Sequence, residues 1–331
     1  MKKLNLAVIY GGESSEHEVS KASAGTILAN LSKEKYNVLP VFITQDGDWL
    51  YQGKKSFIGP GKNPCLLVIE TDKITAVELD CAFPVLHGEK GEDGAIQGLF
   101  EMANLPYVGS GVLASAMAMN KAAANLTARA NNIPQPDYFT FDKSDSKLAL
   151  KQISYPCFVK PVNTGSSIGI SKVKNDHEFM QALTLAGRFC SEIIVERAVA
   201  GREFECAVLG TAAAAKASVV GEIIPYGEFY DYDSKYNLAS TTIAPADIPQ
   251  NIAEEIRQKS LTMFKAMGCR GLARVDFFLE KGKVLFNEIN TFPGFTSISM
   301  FPILWQKSGI KLPDLLDELI DIAIKADKSK A

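Results

Sequence analysis

The chain has 331 residues, more than one compact domain usually holds, so two or three packed units are expected. Hydrophobic residues make up 47% and charged residues 22%, the proportions of a globular enzyme rather than of a disordered chain. The net charge of −3 gives no reason to expect nucleic acid or an anionic membrane surface as the main partner.

The opening MKKLNLAVIYGG superficially resembles a signal peptide. Its apolar run is too short for one, and GGESSEHE follows at once, so a buried first strand is predicted over 4–10. No stretch approaches the roughly 20 apolar residues of a membrane span. A helix is expected from Glu18 to Leu31, with Ser15 and Glu18 at capping-box spacing. Strands are expected at 38–44 and 81–88, the second ending in the polar loop EKGEDG, with a helix at 95–103 after it. Strands alternating with helices predict an open α/β sheet whose ligand edge carries residues 11–16 and 87–94. This first unit covers about 1–107.

The second unit covers 108–200. It starts with an alanine-rich helical stretch, 112–132, and shifts to strands after PQPDYF. The strand at 155–162 runs into a glycine/serine turn at 163–170, and 192–199 is a further strand. The third unit, 201–331, has strands at 203–210, 215–224, 269–280 and 283–290, read as a mostly antiparallel sheet. Helices are expected at 250–267 and 313–326. Between them and the sheet, about 225–241 is polar, aromatic and glycine-flanked with neither period, which favours a functional lid. The six cysteines, Cys65, Cys81, Cys157, Cys190, Cys206 and Cys269, form no CxxC pair and are read as buried free thiols of a reducing cytoplasm. The histidines His17, His87 and His177 form no zinc-like cluster.

The sharpest chemical signal is RVDFFLEKGKVLFNEINTFPG, 274–294. In two strands joined by EKGK, Asp276 and Glu288 face one side, and Asn290 follows two residues later on the same face. Three clustered oxygen donors suit Mg²⁺, which prefers carboxylates plus substrate phosphates. Asn287 is expected on the opposite face. The competing reading is an ordinary acidic hairpin face; the apolar flanks FFL and VLF argue for an enclosed one. NTGSSIG, after a strand bearing Lys160, has the glycines and serines to cover phosphate oxygens. It lacks the Walker pattern, and a plain flexible hairpin is the alternative. Glu196 and Glu203 suit an adenine amino group and ribose hydroxyls, or else are two solvated acids at a domain link. Glu16, at the predicted sheet edge, suits a substrate ammonium. His87 reads as a hydrogen-bonding loop residue rather than a catalytic base.

Six segments in order, GGESSEHEVS, FPVLHGEKGEDGAIQG, GSGVLASAMAMNK, FVKPVNTGSSIGI, EFYDYDSKY and RVDFFLE with NEINTFPGFTSIS, resemble the ATP-grasp enzymes and, within them, the D-alanine–D-alanine ligase family. The resemblance implies a three-domain ATP-grasp architecture with ATP as co-substrate. Lys121, Lys160, Ser167 and Lys235 would meet the nucleotide, and Glu196, Ala198, Val199 and Glu203 would line adenosine. The family often carries an aromatic residue where Ala198 stands. Asp276, Glu288 and Asn290 would hold two Mg²⁺ ions, with Mn²⁺ as a substitute. Glu16, Ser166 and Tyr236 would seat the first D-alanine, with His87 nearby. Arg274 and the Gly294 amide would stabilise an oxyanion, and Ser299 and Met300 would meet the second D-alanine. The implied activity is ATP-dependent joining of two D-alanines through an acyl-phosphate, for peptidoglycan precursors. The alternatives are a D-serine- or D-lactate-adding relative, or another ATP-grasp carboxylate–amine ligase. A homodimer in contact through the first unit is implied as well.

Overall fold

The computed structural model describes residues 2–145, 150, 152–165, 168–224 and 241–328. The predicted lid lies outside the described residues except for Thr241, and so do Ser166, Ser167, Lys235 and Tyr236.

The first sheet is built around β1 (Leu4–Gly11), with Leu6, Ala7, Val8 and Ile9 fully buried, as a strand covered on both faces requires. It pairs in parallel with β2 (Tyr36–Ile43) on one side and β7 (Cys81–Val85) on the other. Helix α1 (His17–Asn30) connects β1 to β2, and α2 (Ala95–Met102) follows β7. Beyond β2 the sheet continues antiparallel through β3 (Trp49–Tyr51), β4 (Lys54–Gly59), β5 (Cys65–Ile69) and β6 (Ile74–Glu78). Short half-exposed strands with lysines and glutamates carry a weak pattern, so this wing is not legible in the sequence.

The capping box does not form. Helix α1 starts at His17 with Glu16 at its N-cap and no side-chain cap bond. Ser14 organises the turn instead: its carbonyl accepts from His17 N at 3.2 Å, and its hydroxyl accepts from Glu16 N and donates to His87 O at 2.7 Å. The turn is thereby tied across the sheet edge to the loop after β7.

The helical stretch expected at 112–132 is two helices, α3 (Val112–Met119) and α4 (Lys121–Ala130). Asn120 breaks it with extended backbone, and its side chain caps α4 by accepting from Ala123 N at 2.8 Å. The break turns Lys121 towards the 163–165 turn, where its backbone N donates to Val162 O at 3.0 Å.

Two antiparallel sheets follow. One has the order β10–β9–β11–β8, from β8 (Tyr138–Asp142), β9 (Cys157–Pro161), β10 (Ser171–Val173) and β11 (Glu192–Arg197). Helix Asp176–Ala186 packs on it, and its core of Val159, Phe179, Ile193 and their neighbours draws on residues 139–195 only. The other has the order β14–β13–β12–β15–β16, from β12 (Arg202–Gly210), β13 (Lys216–Ile224), β14 (Thr241–Ile243), β15 (Gly271–Glu280) and β16 (Lys283–Asn290). One face of this sheet buries helix Gln250–Ala266 together with α3 and α4. Its opposite face shares a core with β1, β7 and α1 through Phe292, Phe295, Phe301 and Trp305. The helix Leu312–Lys328 closes that shared core, and Asp317 accepts from Tyr36 Oη at 2.7 Å. The parallel sheet edge is therefore fixed against the end of β16. All six cysteines are free thiols, four buried, with Cys65 and Cys190 half-buried.

Candidate active site

The strand-edge cavity, about 140 Å³, lies where the ends of β1 and β7 face the loop after β16, residues 291–299. Glu16, His87, Arg274, Asn290, Gly294, Ser299 and Met300 all line it. Glu16 is buried at the N-cap of α1. Gly88 has φ +74°, and a Cβ there would stand 2.6 Å from the Glu16 carboxylate, so only glycine lets the loop pass this close.

His87 is buried and both ring nitrogens are engaged. Nδ1 donates to Phe292 O at 3.2 Å, leaving Nε2 to accept from Ser23 Oγ at 3.1 Å; Ser23 Oγ in turn accepts from Phe295 N at 3.1 Å. This arrangement needs a neutral imidazole. Burial pushes the His87 pKa down, opposed by the nearby Glu16 carboxylate. The relay fixes the 292–295 backbone, and with it the Gly294 amide, against α1. Ser23→Ala leaves Phe295 N and His87 Nε2 buried without their shared partner. We expect it to lower stability by about 1–3 kcal/mol and to lower kcat more than the KM for either substrate; unchanged melting and unchanged kcat would contradict the relay.

Sequence reasoning missed Glu92. It is buried in the same cavity and accepts from Gly88 N at 2.7 Å. Burial and the neighbouring Glu16 push its carboxyl well above the usual range. The GED triplet holds it in plain sight, but its burial depends on a fold not visible in the triplet.

The β15–β16 hairpin forms the second corner. Asp276 and Glu288 are direct cross-strand partners, and Arg274 opposes Asn290. The register then slips: Phe277 pairs with Phe286, so Asn287 is an extra residue in a β-bulge. The bulge cancels the alternation that placed Asn287 on the opposite face, and Asn287 lines the cavities beside Glu288. Arg274 forks Asp276 with two bonds of 2.8 and 2.7 Å, and Glu205 on β12 stands 3.2 Å from the same guanidinium. Burial works against the Arg274 charge; Asp276 and Glu205 outweigh it and hold its pKa well above the ordinary value. Glu205 is the direct partner of Asp276 across β12 and β15, a neighbour that only the sheet order reveals.

Among the described residues no three His, Cys, Asp or Glu are grouped as a metal site. The donor set of two carboxylates and one amide suits a hard divalent cation that takes its remaining ligands from phosphate and water.

The cleft between the two antiparallel sheets, about 330 Å³, is lined by Lys121, Lys160, Glu196, Val199, Glu203, Asp276 and Glu288. Lys160 and Glu196 form an ion pair, and Asn125 donates to the other Glu196 oxygen at 3.3 Å. Burial opposes the Lys160 charge, and Glu196, Glu288 and Glu203 outweigh it, raising its pKa. Lys121 Nζ donates to Thr164 O. Ala198 is not among the residues lining the cleft; its N donates to Pro156 O at 3.1 Å. The two cavities share a wall of Lys121, Thr164, Gly165, Glu205, Asn287 and Glu288.

A parallel sheet edge meeting a cleft between two antiparallel sheets, with lysines and carboxylates at the junction, is the ATP-grasp ligase architecture. Family models for the D-ala D-ala ligase N-terminus and C-terminus match residues 5–110 and 127–321. A D-alanine–D-alanine ligase from Acetivibrio thermocellus is 45% identical over 98% of this chain and 96% of its own. A D-alanine-D-alanine ligase structure from Coxiella burnetii matches with TM-score 0.88 and 37% identity, covering 100% of this chain and 96% of that one. A D-Ala:D-Ser ligase from Enterococcus faecalis matches with TM-score 0.85 and 36% identity, over 97% and 100%. The chain belongs to the D-alanine–D-alanine ligase family.

Proposed function

We propose that this chain joins two D-alanines at the expense of ATP, and that the reaction takes place at the wall shared by the two cavities. The shared wall carries this reading. It carries Lys121, Glu205 and Glu288, between a cleft that also holds Lys160 and a cavity with the buried Glu16 carboxylate, which suits an ammonium group. The curated relatives are named for this reaction, and a related ligase structure from Bacillus anthracis, 26% identical with TM-score 0.77, is complexed with ATP.

In the proposed reaction the adenosine lies against Val199 and Glu203, near Glu196, with the phosphates towards Lys160 and Lys121. Glu16 holds the first D-alanine by its ammonium, with its carboxylate towards the shared wall. One carboxylate oxygen bonds to the γ-phosphorus as the bond from that phosphorus to the β,γ-bridging oxygen breaks, releasing ADP. The lysines neutralise charge on the phosphates. The amine of the second D-alanine, held near Ser299 and Met300, then attacks the acyl carbon. The tetrahedral oxyanion sits between Arg274 and the Gly294 amide. The carbon–oxygen bond to phosphate breaks, the amine loses a proton, and dipeptide and inorganic phosphate result. Asp276, Glu288 and Asn290 would hold Mg²⁺, or Mn²⁺ in its place, whose charge when bound offsets that of the phosphoryl oxygens. Ser166, Ser167, Lys235 and Tyr236 keep the roles the resemblance implies.

A cytoplasmic location and a homodimer in contact through the first unit belong to the same proposal. The free cysteines support the first. Exposed Ile69 and Ile74, cross-strand partners at the edge of the first sheet, support the second. Among the described residues no helix is long and apolar enough to cross a membrane.

The second-substrate choice has its own test. Met300 is buried and lines the cavity, so an apolar wall meets the second side chain. With ATP, Mg²⁺ and equal D-alanine and D-serine, D-alanyl-D-alanine should be the main product. The discrimination should be modest, because an apolar pocket rejects an added hydroxyl by only about a hundredfold. A predominance of D-alanyl-D-serine, or of D-alanyl-D-lactate when D-lactate is offered, would overturn the assignment.

A further inference from the structure

Between β11 and β12 the chain crosses from one antiparallel sheet to the other in four residues, 198–201, at the mouth of the cleft. Arg197, Val199 and Gly201 line the cleft there. This connector is held from two sides. On the four-stranded side, Arg197 N donates to Asp137 O at 2.9 Å and Ala198 N to Pro156 O. On the five-stranded side a single carboxylate gathers it. Glu280, the last residue of β15, accepts from Arg197 Nη1 and Nη2 at 3.0 and 2.8 Å and from Ala200 N at 3.1 Å. Arg197 Nη1 also donates to Ala198 O at 3.1 Å. Gly201 presses on the same strand end, since a Cβ there would lie 2.5 Å from Leu279 O.

We propose that Glu280 is a positioning residue for the nucleotide base: it shapes the 198–201 connector without touching the ligand. The inference rests on reading the cleft as the adenosine seat. A base read along its edge by peptide groups requires those groups to be held in place before it binds. A fork–fork arginine–carboxylate pair, with a third bond to a backbone N–H, supplies that rigidity in a segment of only four residues. An ordinary surface ion pair would do neither, because it is not bonded to the backbone of the cleft mouth.

The test compares Glu280→Ala, Glu280→Gln and Arg197→Lys in steady-state kinetics with ATP and, separately, GTP. Glu280→Ala should raise the KM for ATP roughly tenfold and narrow the preference for ATP over GTP, with kcat at saturating ATP little changed. Glu280→Gln keeps an acceptor for Ala200 N but loses the charge, so its rise should be smaller. If Glu280→Ala does not fold, Arg197→Lys carries the test: it keeps the charge, loses the fork and should also raise the KM. Glu203→Gln separates the inference from its premise. If Glu203→Gln raises the KM and none of the folded Glu280→Ala, Glu280→Gln and Arg197→Lys variants does, the positioning role is overturned while the adenosine seat stands. If none of them changes it, the seat itself is misplaced.

Discussion

Asp276→Asn and Glu288→Gln should each lower kcat on the order of a thousandfold or more. Both substitutions keep the shape of the side chain and remove one charge, from the wall the two cavities share at Glu288 and from the adjoining cleft at Asp276. The two variants should differ in stability. Asp276 carries both bonds of the Arg274 fork, so Asn there weakens a buried charge pair as well as the proposed metal site. Glu288 takes no part in that fork, although its charge acts on Arg274 and Lys160, so Glu288→Gln should lose less stability than Asp276→Asn. Turnover lost equally in both variants but stability lost chiefly in the first would separate the metal role from the packing role. Near-normal turnover in either would refute the metal assignment.

The second large effect is at Arg274. Arg274→Met should cost about 3–5 kcal/mol of stability, because Asp276 and Glu205 are left buried without the cation that faces them. It should also remove the proposed oxyanion donor, lowering kcat about 100- to 1,000-fold. Arg274→Lys separates the two effects. A lysine restores the charge, so much of the stability should return. It cannot fork a carboxylate while aiming a second N–H at an oxyanion, so kcat should stay low. Calorimetry and kinetics on the same two variants decide the point. Full activity in Arg274→Lys would reduce the role of Arg274 to charge alone.

Local pattern made much of this architecture legible. The apolar run at residues 4–10 is a parallel strand with a fully buried centre, Leu6–Ile9, and the EKGK turn does join two antiparallel strands with Asp276 opposite Glu288. What stayed hidden has particular causes. Strict alternation puts Asn287 on the face opposite Glu288, but alternation fails at a bulge, and the bulge arises from a register slip between β15 and β16. Ser15 and Glu18 have capping spacing, but the bonds of Ser14 to Glu16 and His87 set the helix start two residues later than Ser15. Asn120 looked like one more residue in a helix, because the partner that rewards its break, Asn163, is 43 positions away. Glu92 and Glu205 are ordinary acids in sequence; their burial in the cavities is a property of the assembled sheets. Of the two hinge residues that the family resemblance implies for adenosine, Val199 lines the cleft and Ala198 does not.

The reaction proposed at the shared wall is open to direct measurement. The direct measurement is to mix the full chain with ATP, Mg²⁺ and D-alanine and follow dipeptide and inorganic phosphate together, by mass spectrometry and a phosphate assay. The proposed reaction requires D-alanyl-D-alanine and phosphate in a one-to-one ratio, both dependent on D-alanine and both lost in Glu288→Gln. Phosphate release that does not need D-alanine, or release with another amino acid and none with D-alanine, would contradict it.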